Sequence, residues 1–304
     1  MSGLGEHARP GSMTDTVDFV IGLDGGGSGC RIAVCRIDGA RLAEAQSGAA
    51  NYTSDPDLTV AHILDALSQV TKSLGLSTDR MMQAPAHLGL AGIMTQADSD
   101  ALSKRLPLTR FRISDDQVTS TIGALGDRSG ALIGVGTGSF VAHKRGDVFR
   151  TFGGWGLALG DQASGAWLGQ NALRHCALVA DGLASQSALA NTLLNHFDQT
   201  PAHLIAFAQT ATPADYARFA PQIFEAATSG DPFAKSLVTK GATYLDRCLT
   251  ALDLEADDVI CMIGGLAARY RPWLSDAHQA RMVEPHGSAL DGALRLAVQL
   301  ARQG

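Results

Sequence analysis

Asp24 and the three glycines after it have the residue types and spacing of a metal–phosphate site. The segment Asp24-Gly25-Gly26-Gly27-Ser28 separates two runs of strand-forming residues. Consecutive backbone N–H groups without side chains form an anion-binding concavity, and glycine lets a ligand approach the backbone closely. A carboxylate at its entrance would repel phosphate unless a divalent cation lay between them. An ordinary glycine hairpin also explains the turn when it is taken alone. The functional interpretation predicts a metal ion near Asp24 and phosphates around Gly25 to Ser28.

A second turn of the same kind is Gly136-Thr137-Gly138-Ser139, which also follows an apolar segment. Its glycines and the hydroxyls of Thr137 and Ser139 could contact phosphate. Neither turn is a P-loop, because no Gly-Lys-Ser/Thr sequence follows. A hairpin is again a sufficient explanation for this turn alone. Two such turns, one in each half of the chain, could close on a nucleotide from both sides.

Asp115 and Asp116 lie between the two turns, where a predicted strand leads into a predicted helix. One of them is expected to cap the helix, since aspartate is a preferred N-cap residue. The other could act as a general base, because a carboxylate can accept the proton of an attacking hydroxyl during phosphoryl transfer. The two acids together therefore suit a helix start that also does chemistry.

The glycine-rich segment 153–165 contains a single tryptophan, Trp155, and a single aspartate, Asp161. Backbone groups and a carboxylate can bind sugar hydroxyls, and an aromatic ring can supply an apolar wall, so the segment suits a sugar site. Trp155 considered alone is more often a core residue. Asp161 considered alone could cap the following helix.

Three further positions carry weaker signals. Gly264-Gly265 follows a buried strand and could lie flat against an adenine or a ribose, although a glycine helix cap explains the pair nearly as well. Gly230-Asp231-Pro232 is fully explained by one helix that ends at Gly230 and another that starts with an aspartate cap and a proline. Asn51 lies in a loop and has no signal of its own.

The elements that position these residues follow from hydrophobic spacing. Strands are predicted over residues 19–23, 30–37, 41–47, 86–90, 111–114, 131–135, 140–144, 147–149 and 259–263, and helices over 57–74, 96–106, 118–125, much of 161–252, and 288–301. Each half of the chain opens with a strand, a glycine turn and another strand. The order predicts a mixed α/β fold with a duplicated architecture.

Composition excludes several classes of protein. The 304 residues carry a net charge of −6 and no basic tract, which disfavours a nucleic-acid partner. No apolar run reaches the roughly 18 residues of a membrane span. Residues 1–18 lack the apolar stretch of a secretory signal, are expected to be disordered, and contain Met13 as an alternative start. Five scattered cysteines without a Cys-x-x-Cys pair are typical of a reduced, cytoplasmic protein.

The order of these motifs, across roughly residues 19–301, resembles the N-acetylglucosamine kinase family, a sugar kinase branch of the actin-like ATPase superfamily. The resemblance implies an α/β, two-lobed actin-like (ribonuclease H-like) fold with ATP and Mg²⁺ in the interlobe cleft. It divides the chain into an N-terminal extension (1–17), an N-terminal lobe (18–125) and a C-terminal lobe with helical insertions (126–304). The last helix is expected to pack back on the N-terminal lobe. A homodimer is common among relatives.

The resemblance also implies a role for each motif residue. Asp24 would lie near the metal ion, and Asp116 would deprotonate the sugar 6-hydroxyl. The sugar would be bound by Asn51, Asp116, Gly154, Trp155, Gly156 and Asp161. The nucleotide would be bound by Gly25, Gly26, Gly27, Ser28, Gly136, Thr137, Gly138, Ser139, Gly230, Gly264 and Gly265.

Four positions depart from the family pattern. Gly29 stands where relatives often carry a basic residue that contacts phosphate. Gln162 and Ala163 replace the second and third residues after the glycine of the usual Gly-Asp-Glu-Gly-Ser, which removes a negative charge beside the sugar. Ser28 takes the place of the usual threonine.

The sequence therefore predicts ATP-dependent phosphorylation of an amino sugar at O6, with N-acetyl-D-glucosamine as the expected substrate. A glucosamine kinase or another hexose kinase of the same family is an alternative. An ATPase activator of an acyl-CoA dehydratase or reductase is another alternative, and it would need cysteines for an iron–sulfur cluster. A sugar sensor without catalysis is a third, although the short N-terminal segment leaves no room for a helix-turn-helix domain.

Overall fold

The computed structural model describes residues 18–146 and 148–303, and the predicted disorder of residues 1–17 falls outside this part. The first of its two mixed sheets has the strand order β3-β2-β1-β4-β5. The strands are β1 (Phe19–Gly26), β2 (Gly29–Arg36), β3 (Arg41–Ser47), β4 (Ala86–Leu90) and β5 (Phe111–Asp115). β1, β2 and β3 are antiparallel, whereas β1, β4 and β5 are parallel. The first glycine turn therefore joins the strands of the β1–β2 hairpin.

The second sheet repeats this plan with one parallel strand fewer. Its order is β8-β7-β6-β9, with β6 (Gly130–Val135), β7 (Ser139–Arg145), β8 (Val148–Gly153) and β9 (Val259–Ile263). β6 pairs antiparallel with β7 and parallel with β9. The predicted duplication of architecture is confirmed, because each sheet begins with a hairpin whose turn is one of the glycine segments. The predicted lobe boundary at residues 125 and 126 lies between the two sheets and stays a prediction.

The helices of the first half are α1 (Pro56–Leu74), α2 (Thr78–Met82), α3 (Gln96–Ser103) and α4 (Asp116–Leu125). α1 begins at an Asp55 cap that accepts a hydrogen bond from the Leu58 N–H, and it ends at Gly75 in the left-handed conformation. Its apolar face buries Ile63 and Leu67 with the strands of the first sheet. The predicted helix over 96–106 ends earlier, at Ser103.

The helices of the second half are α5 (Gly165–Ala180), α6 (Ala188–Asn195), α7 (Pro201–Thr210), α8 (Pro213–Ala217), α9 (Ala220–Thr228), α10 (Pro232–Ala251), α11 (Ala267–Tyr270), α12 (Asp276–Gln279) and α13 (Ala289–Arg302). Helices α5 to α11 form a layer on one face of the second sheet, and α13 is not part of this layer. Ile133 and Val135 of β6 lie in the large apolar core that this layer covers. In the described part of the chain, none of the helices has the length and apolar character needed to cross a bilayer.

α4 and α13 cross at their glycines and connect the two sheets. A Cβ atom on Gly123 would lie 1.9 Å from the carbonyl oxygen of Ser288, and one on Gly292 would lie 1.9 Å from that of Thr119. α4 packs Ala124 against the second sheet. α13 packs Leu294 on β1 and β2, so this helix lies on the first sheet.

Candidate functional site

Parallel strands bring the predicted acids to one edge of the first sheet. In β1, β4 and β5, Asp24, Gly89 and Ser114 are neighbours in the pairing register. The chain then passes through Asp115 into α4, whose first residue is Asp116. The negative charge of Asp24 is close enough to Asp116 to contribute to its raised pKa. The carboxyl ends of parallel strands thus gather Asp24, Asp115 and Asp116 in one place.

The two adjacent acids at the start of α4 have different roles. Asp115 is the N-cap and accepts a hydrogen bond of 2.8 Å from the Gln117 N–H, as predicted for one of the pair. Asp116 is left free of capping. Burial raises the pKa of Asp116 to about 7, and the charges of Asp115 and Asp24 add to the effect. A carboxyl group with a pKa near 7 is suited to accept a proton at neutral pH.

A buried histidine that the sequence did not single out lies below this edge. His87 Nε2 is 2.9 Å from Ser114 Oγ, and Ser114 Oγ donates to the carbonyl oxygen of Asp115 at 3.1 Å. Because the hydroxyl hydrogen is used on Asp115, the serine oxygen accepts from an Nε2–H of the histidine. Burial lowers the pKa of His87 to about 4, so the ring is neutral at pH 7. The pair fixes the backbone that leads into Asp116.

Backbone hydrogen bonds hold the first glycine turn from two sides. The carbonyl oxygen of Gly25 accepts from the Ala91 N–H at 2.8 Å, and that of Gly26 accepts from the Ala50 N–H at 2.9 Å. A Cβ atom on Gly25 would collide with Leu90, whereas Cβ atoms on Gly26 and Gly27 would meet nothing within 4 Å. Gly25 is therefore required by packing, and Gly26 and Gly27 leave open space in front of the turn.

Asn51 lies beside the first turn, since it follows Ala50 and forms a bridge with Ala91 just beyond β4. Its Oδ1 accepts a hydrogen bond of 3.2 Å from the Ser54 N–H. Gly92 packs so closely that a Cβ atom there would lie 2.6 Å from the same oxygen. The position predicted from the resemblance alone is thus held at the carboxyl edge of the first sheet.

The second glycine turn is bound to the segment that leads into α5. The carbonyl oxygen of Gly136 accepts from the Gly165 N–H at 2.8 Å, and that of Thr137 accepts from the Ala166 N–H at 3.2 Å. The hydroxyl of Ser139 donates to the carbonyl oxygen of Gln162 at 2.7 Å. A Cβ atom on Gly136 would meet nothing within 4 Å. The turn is rigidly placed, and its first glycine faces open space.

Asp161 lies against this turn. A Cβ atom on Gly138 would be 3.3 Å from its Oδ2, and its side chain is largely buried. Burial raises the pKa of Asp161, and a hydrogen bond from the Ser139 N–H acts in the opposite direction. The alternative interpretation as a helix cap is wrong, because Ser164 caps α5. Asp161 has φ 59°, a left-handed conformation that costs about 1–2 kcal/mol in a residue other than glycine.

Gly154, Trp155 and Gly156 follow β8 and reach the start of α4. The Gly154 N–H donates to the carbonyl oxygen of Ser139 at 3.2 Å. A Cβ atom on Gly154 would lie 2.6 Å from Nε2 of Gln117, the residue after Asp116. Trp155 is 70% exposed, so the core interpretation is wrong and its ring is available to a ligand. The predicted sugar segment and the predicted base are therefore neighbours.

The remaining predicted nucleotide-binding residues, Gly264, Gly265 and Gly230, lie in two separate places. Gly264 has φ 97°, and a Cβ atom there would lie 2.2 Å from the carbonyl oxygen of Val135, directly before the second turn. A Cβ atom on Gly265 would meet nothing within 4 Å. Gly230 lies between α9 and α10, with Asp231 capping α10 through the Ala234 N–H. The helix-boundary explanation of Gly230 is confirmed, and its own N–H donates to Ala227 of α9 rather than to either turn.

Arg31 is a functional candidate that the motif search missed. It is the register partner of Asp24 across the β1–β2 hairpin, and its Nη2 is 2.5 Å from Asp24 Oδ2. Its distance from the turn is a signal in the sequence, because Asp24 and Arg31 lie the same number of residues from the two ends of the turn. Both side chains line a cavity of about 720 Å³ that reaches from the first turn to Ser120 of α4 and Ile263 of β9.

Residues of this cavity fit a magnesium–nucleotide complex. In the described residues, no group of three or more histidine, cysteine or acidic side chains could by itself hold a metal ion. Mg²⁺ is commonly held by one or two carboxylates together with substrate phosphates and water. Asp24 beside the open space at Gly26 and Gly27 matches that requirement.

Two sheets of repeated plan, a glycine turn in each and two helices that cross between them define a two-lobed, actin-like ATPase. The chain belongs to the BadF/BadG/BcrA/BcrD ATPase family, whose sequence profile matches residues 21–294. Both results confirm the predicted fold and superfamily.

Several similar proteins act on sugars. A glucosamine kinase of Vibrio cholerae is 32% identical over 282 residues, which cover 92% of this chain and 96% of that protein. An N-acetyl-D-glucosamine kinase of Dictyostelium discoideum is 26% identical and covers 90% and 92%. The crystal structure of a candidate N-acetylglucosamine kinase of Chromobacterium violaceum has a TM-score of 0.83 and 32% identity, with 93% and 99% covered. The resemblance predicted from the motifs is confirmed, and the chain stands among ATP-dependent sugar kinases.

A more distant likeness concerns the fold alone. A ROK family glucokinase of Streptomyces griseus, in complex with glucose and AMPPNP, has a TM-score of 0.54 and 19% identity, with 94% of this chain and all of that chain covered.

The Gly264 contact yields a stability prediction with a matched control. Gly264→Ala should lower the free energy of unfolding by roughly 2–4 kcal/mol, the sum of left-handed strain and a collision with the backbone carbonyl oxygen of Val135. Gly156→Ala also has a positive φ but open space around it, so it should cost only the strain, about 1–2 kcal/mol. Urea unfolding measures both, and equal losses in the two variants would contradict a tight Gly264–Val135 contact.

Proposed function

We propose that the protein transfers the γ-phosphoryl group of ATP to O6 of an amino sugar, N-acetyl-D-glucosamine or D-glucosamine. The observation that carries the proposal is the position of Asp116. Its carboxyl is partly buried and has a pKa of about 7, the charge of Asp24 acts on it, and the side chain of the next residue, Gln117, lies against Gly154 of the glycine-rich segment. A base beside a phosphate turn on one side and a sugar segment on the other is the arrangement that this transfer needs.

Asp116 would accept the proton of the sugar hydroxyl as its oxygen attacks the γ-phosphorus in line. Asn51 and Asp161, both held by backbone contacts, would accept hydrogen bonds from other sugar hydroxyls. Gly154 and Gly156 would let the sugar approach the backbone, and the exposed ring of Trp155 would cover an apolar face. These side chains would orient the hydroxyl before transfer, which is a large part of what catalysis requires here.

The nucleotide would lie between the two glycine turns. Backbone N–H groups of Gly25 to Ser28 and of Gly136 to Ser139 would bind phosphates, and Gly264, Gly265 and Gly230 would lie along the adenosine. Mg²⁺, held near Asp24, would neutralise charge on the phosphates during transfer. Asp24 is already at the wall of the cavity that would receive them.

Relatives named for each of the two sugars support an amino sugar as the substrate. The Vibrio cholerae protein is named for glucosamine and the Dictyostelium discoideum protein for N-acetyl-D-glucosamine. Replacement of the usual glutamate by Gln162 removes one charge from the segment that contains Asp161. A single changed contact to the 2-substituent alters selectivity by only a few kcal/mol. The amino sugar class is therefore the proposal, and kinetics must choose its member.

A coupled ADP-release assay with Mg²⁺-ATP and a panel of amino sugars and neutral hexoses tests this proposal. We expect turnover on glucosamine or N-acetylglucosamine, with the highest kcat/KM on one of them, and a phosphate group on O6 of the product, located by NMR. Absence of turnover on every sugar in the panel would overturn the proposed function.

Asp116→Asn should lower kcat by about 10²-fold or more, because the amide cannot take the hydroxyl proton. The KM for the sugar should change little, since the amide keeps the size and much of the hydrogen bonding of the carboxylate. Asp115→Asn is the matched control, because asparagine is as good an N-cap as aspartate and should leave most of kcat. Turnover near the wild-type value in the Asp116 variant would remove Asp116 as the base.

The pH dependence follows from the raised pKa of Asp116. Since the base acts when deprotonated, kcat/KM should rise with pH and level off above about 7. Asp115→Asn removes a neighbouring negative charge, so the pKa of Asp116 should fall and the rising limb should move to lower pH. Initial rates measured between about pH 5 and pH 9 give the pH profiles of the wild type and of the Asp115 variant. A limb that does not move in the Asp115 variant would contradict the coupling of the two acids.

Cysteine burial bears on the alternative of an ATPase activator. All five cysteines, Cys30, Cys35, Cys176, Cys248 and Cys261, are buried. Burial raises the pKa of the Cys30 thiol to about 12, far from the thiolate that an iron–sulfur cluster requires. Thiols of this kind are unsuited to a cluster shared between subunits at a surface. The observation favours the kinase.

A further inference from the structure

We infer that Arg31 binds a phosphate group of the nucleotide and supplies the positive charge that is absent at Gly29. The inference rests on the proposed function in one respect, the presence of a nucleotide between the lobes. It assigns a role to a residue outside the motifs. Arg31 lies two positions after Gly29, where relatives often carry a basic residue. It does not depend on which sugar accepts the phosphoryl group.

The β1–β2 hairpin places the guanidinium of Arg31 at the cavity wall, beside Asp24. Arg31 and Asp24 are directly opposite in the β1–β2 register, two residue pairs before the turn closes at Gly26 and Gly29. Nη2 of Arg31 is 2.5 Å from Asp24 Oδ2. A guanidinium has five N–H donors, so this contact leaves most of them free for a second acceptor. The Arg31 side chain is 50% exposed, whereas that of Asp24 is 15% exposed.

Charge at the cavity wall points to the same role. The described residues that line the cavity of about 720 Å³ include Ser28, Gly29, Gln46 and Ser47 beside the ion pair. Asp24 and Arg31 are the charged members of this lining, so Arg31 is its one cation. Without Arg31, the charge that this lining presents to a polyanion would be the negative charge of Asp24. Guanidinium–phosphate hydrogen bonds are among the strong charge-assisted contacts that proteins form.

The ion pair is not needed to hold the hairpin. β1 and β2 are paired without interruption from Phe19 and Arg36 to Gly26 and Gly29. The exposed half of the pair is the guanidinium of Arg31, and an ion pair that water reaches contributes little to stability, because water screens it and long side chains lose freedom in forming it. Arg31 can therefore exchange part of its contact with Asp24 for a phosphate oxygen at little cost in stability. The same exchange would leave the Asp24 carboxylate available to a metal ion.

Calorimetric titration of the full chain with AMPPNP and Mg²⁺, and separately with adenosine, tests the role. Arg31→Met should raise the Kd of AMPPNP by about tenfold or more, the loss expected for hydrogen bonds to a charged group. The Kd of adenosine, which has no phosphate, should stay within about twofold. Arg31→Lys should recover part of the AMPPNP affinity, because it restores the charge but not the fork of donors.

Arg36→Met is the matched control, since Arg36 lies on the same strand at the end remote from the turn and is exposed. It should bind AMPPNP as the wild type does. AMPPNP affinity unchanged in Arg31→Met, or an equal loss for AMPPNP and adenosine, would overturn the inference. No sugar is present in these titrations. Failure here is therefore distinguishable from failure of the proposed function, which is a lack of sugar turnover in the wild type.

Discussion

The close crossing of α4 and α13 is the constraint on which the rest of the molecule depends. At Gly123 and Gly292 each helix lies against backbone of the other, and neither position has space for a Cβ atom. α4 presses Ala124 on the second sheet, while α13 presses Leu294 on the first. Because Asp116 is the first residue of α4, the crossing also sets where that carboxyl lies between the two sheets.

Both glycine turns reach the first turn of α4 by short chains of contacts. From the first sheet, the turn begins at Asp24, whose charge acts on Asp116. From the second sheet, Ser139 accepts a hydrogen bond from Gly154, and Gly154 touches Gln117. The start of one helix is thus the place where the first glycine turn, Asp116 and the glycine-rich segment after β8 come together, although they come from distant parts of the sequence.

Grouping acids at one sheet edge has a physical cost that the structure partly offsets. Asp24, Asp115 and Asp116 meet in a partly buried place, and burial raises the pKa of both Asp115 and Asp116. The Gln117 N–H stabilises the charge of Asp115, and the Arg31 guanidinium stabilises that of Asp24. Asp116 shares a hydrogen bond with the Asp115 side chain, which adds to the rise in the pKa of Asp116. The proposed base is therefore the acid of this group whose pKa is raised to about 7.

Local patterns allowed much of this to be predicted from the sequence. Runs of strand-forming residues interrupted by glycine located the strands of both hairpins, and the Asp115-Asp116 pair marked the start of α4 because capping preferences are local. The exposure of Trp155 was not predictable from composition, since a lone tryptophan is usually buried. The left-handed backbone at Asp161 and the ion pair of Arg31 depend on contacts between segments. The pairing register of the β1–β2 hairpin predicts the ion pair of Arg31, whereas no feature of the sequence predicts the left-handed backbone at Asp161.

The position of α13 has a consequence for how the chain acquires its structure. The first sheet is complete in sequence by Asp115, yet the helix that covers β1 and β2 is made only after the whole second sheet and its helical layer. During synthesis the apolar faces of Val20, Ala33 and Cys35 must therefore wait uncovered while the ribosome translates the second half. The first lobe is consequently the one whose apolar surface is open to misassembly during synthesis, and its packing is completed only when α13 emerges after the second sheet.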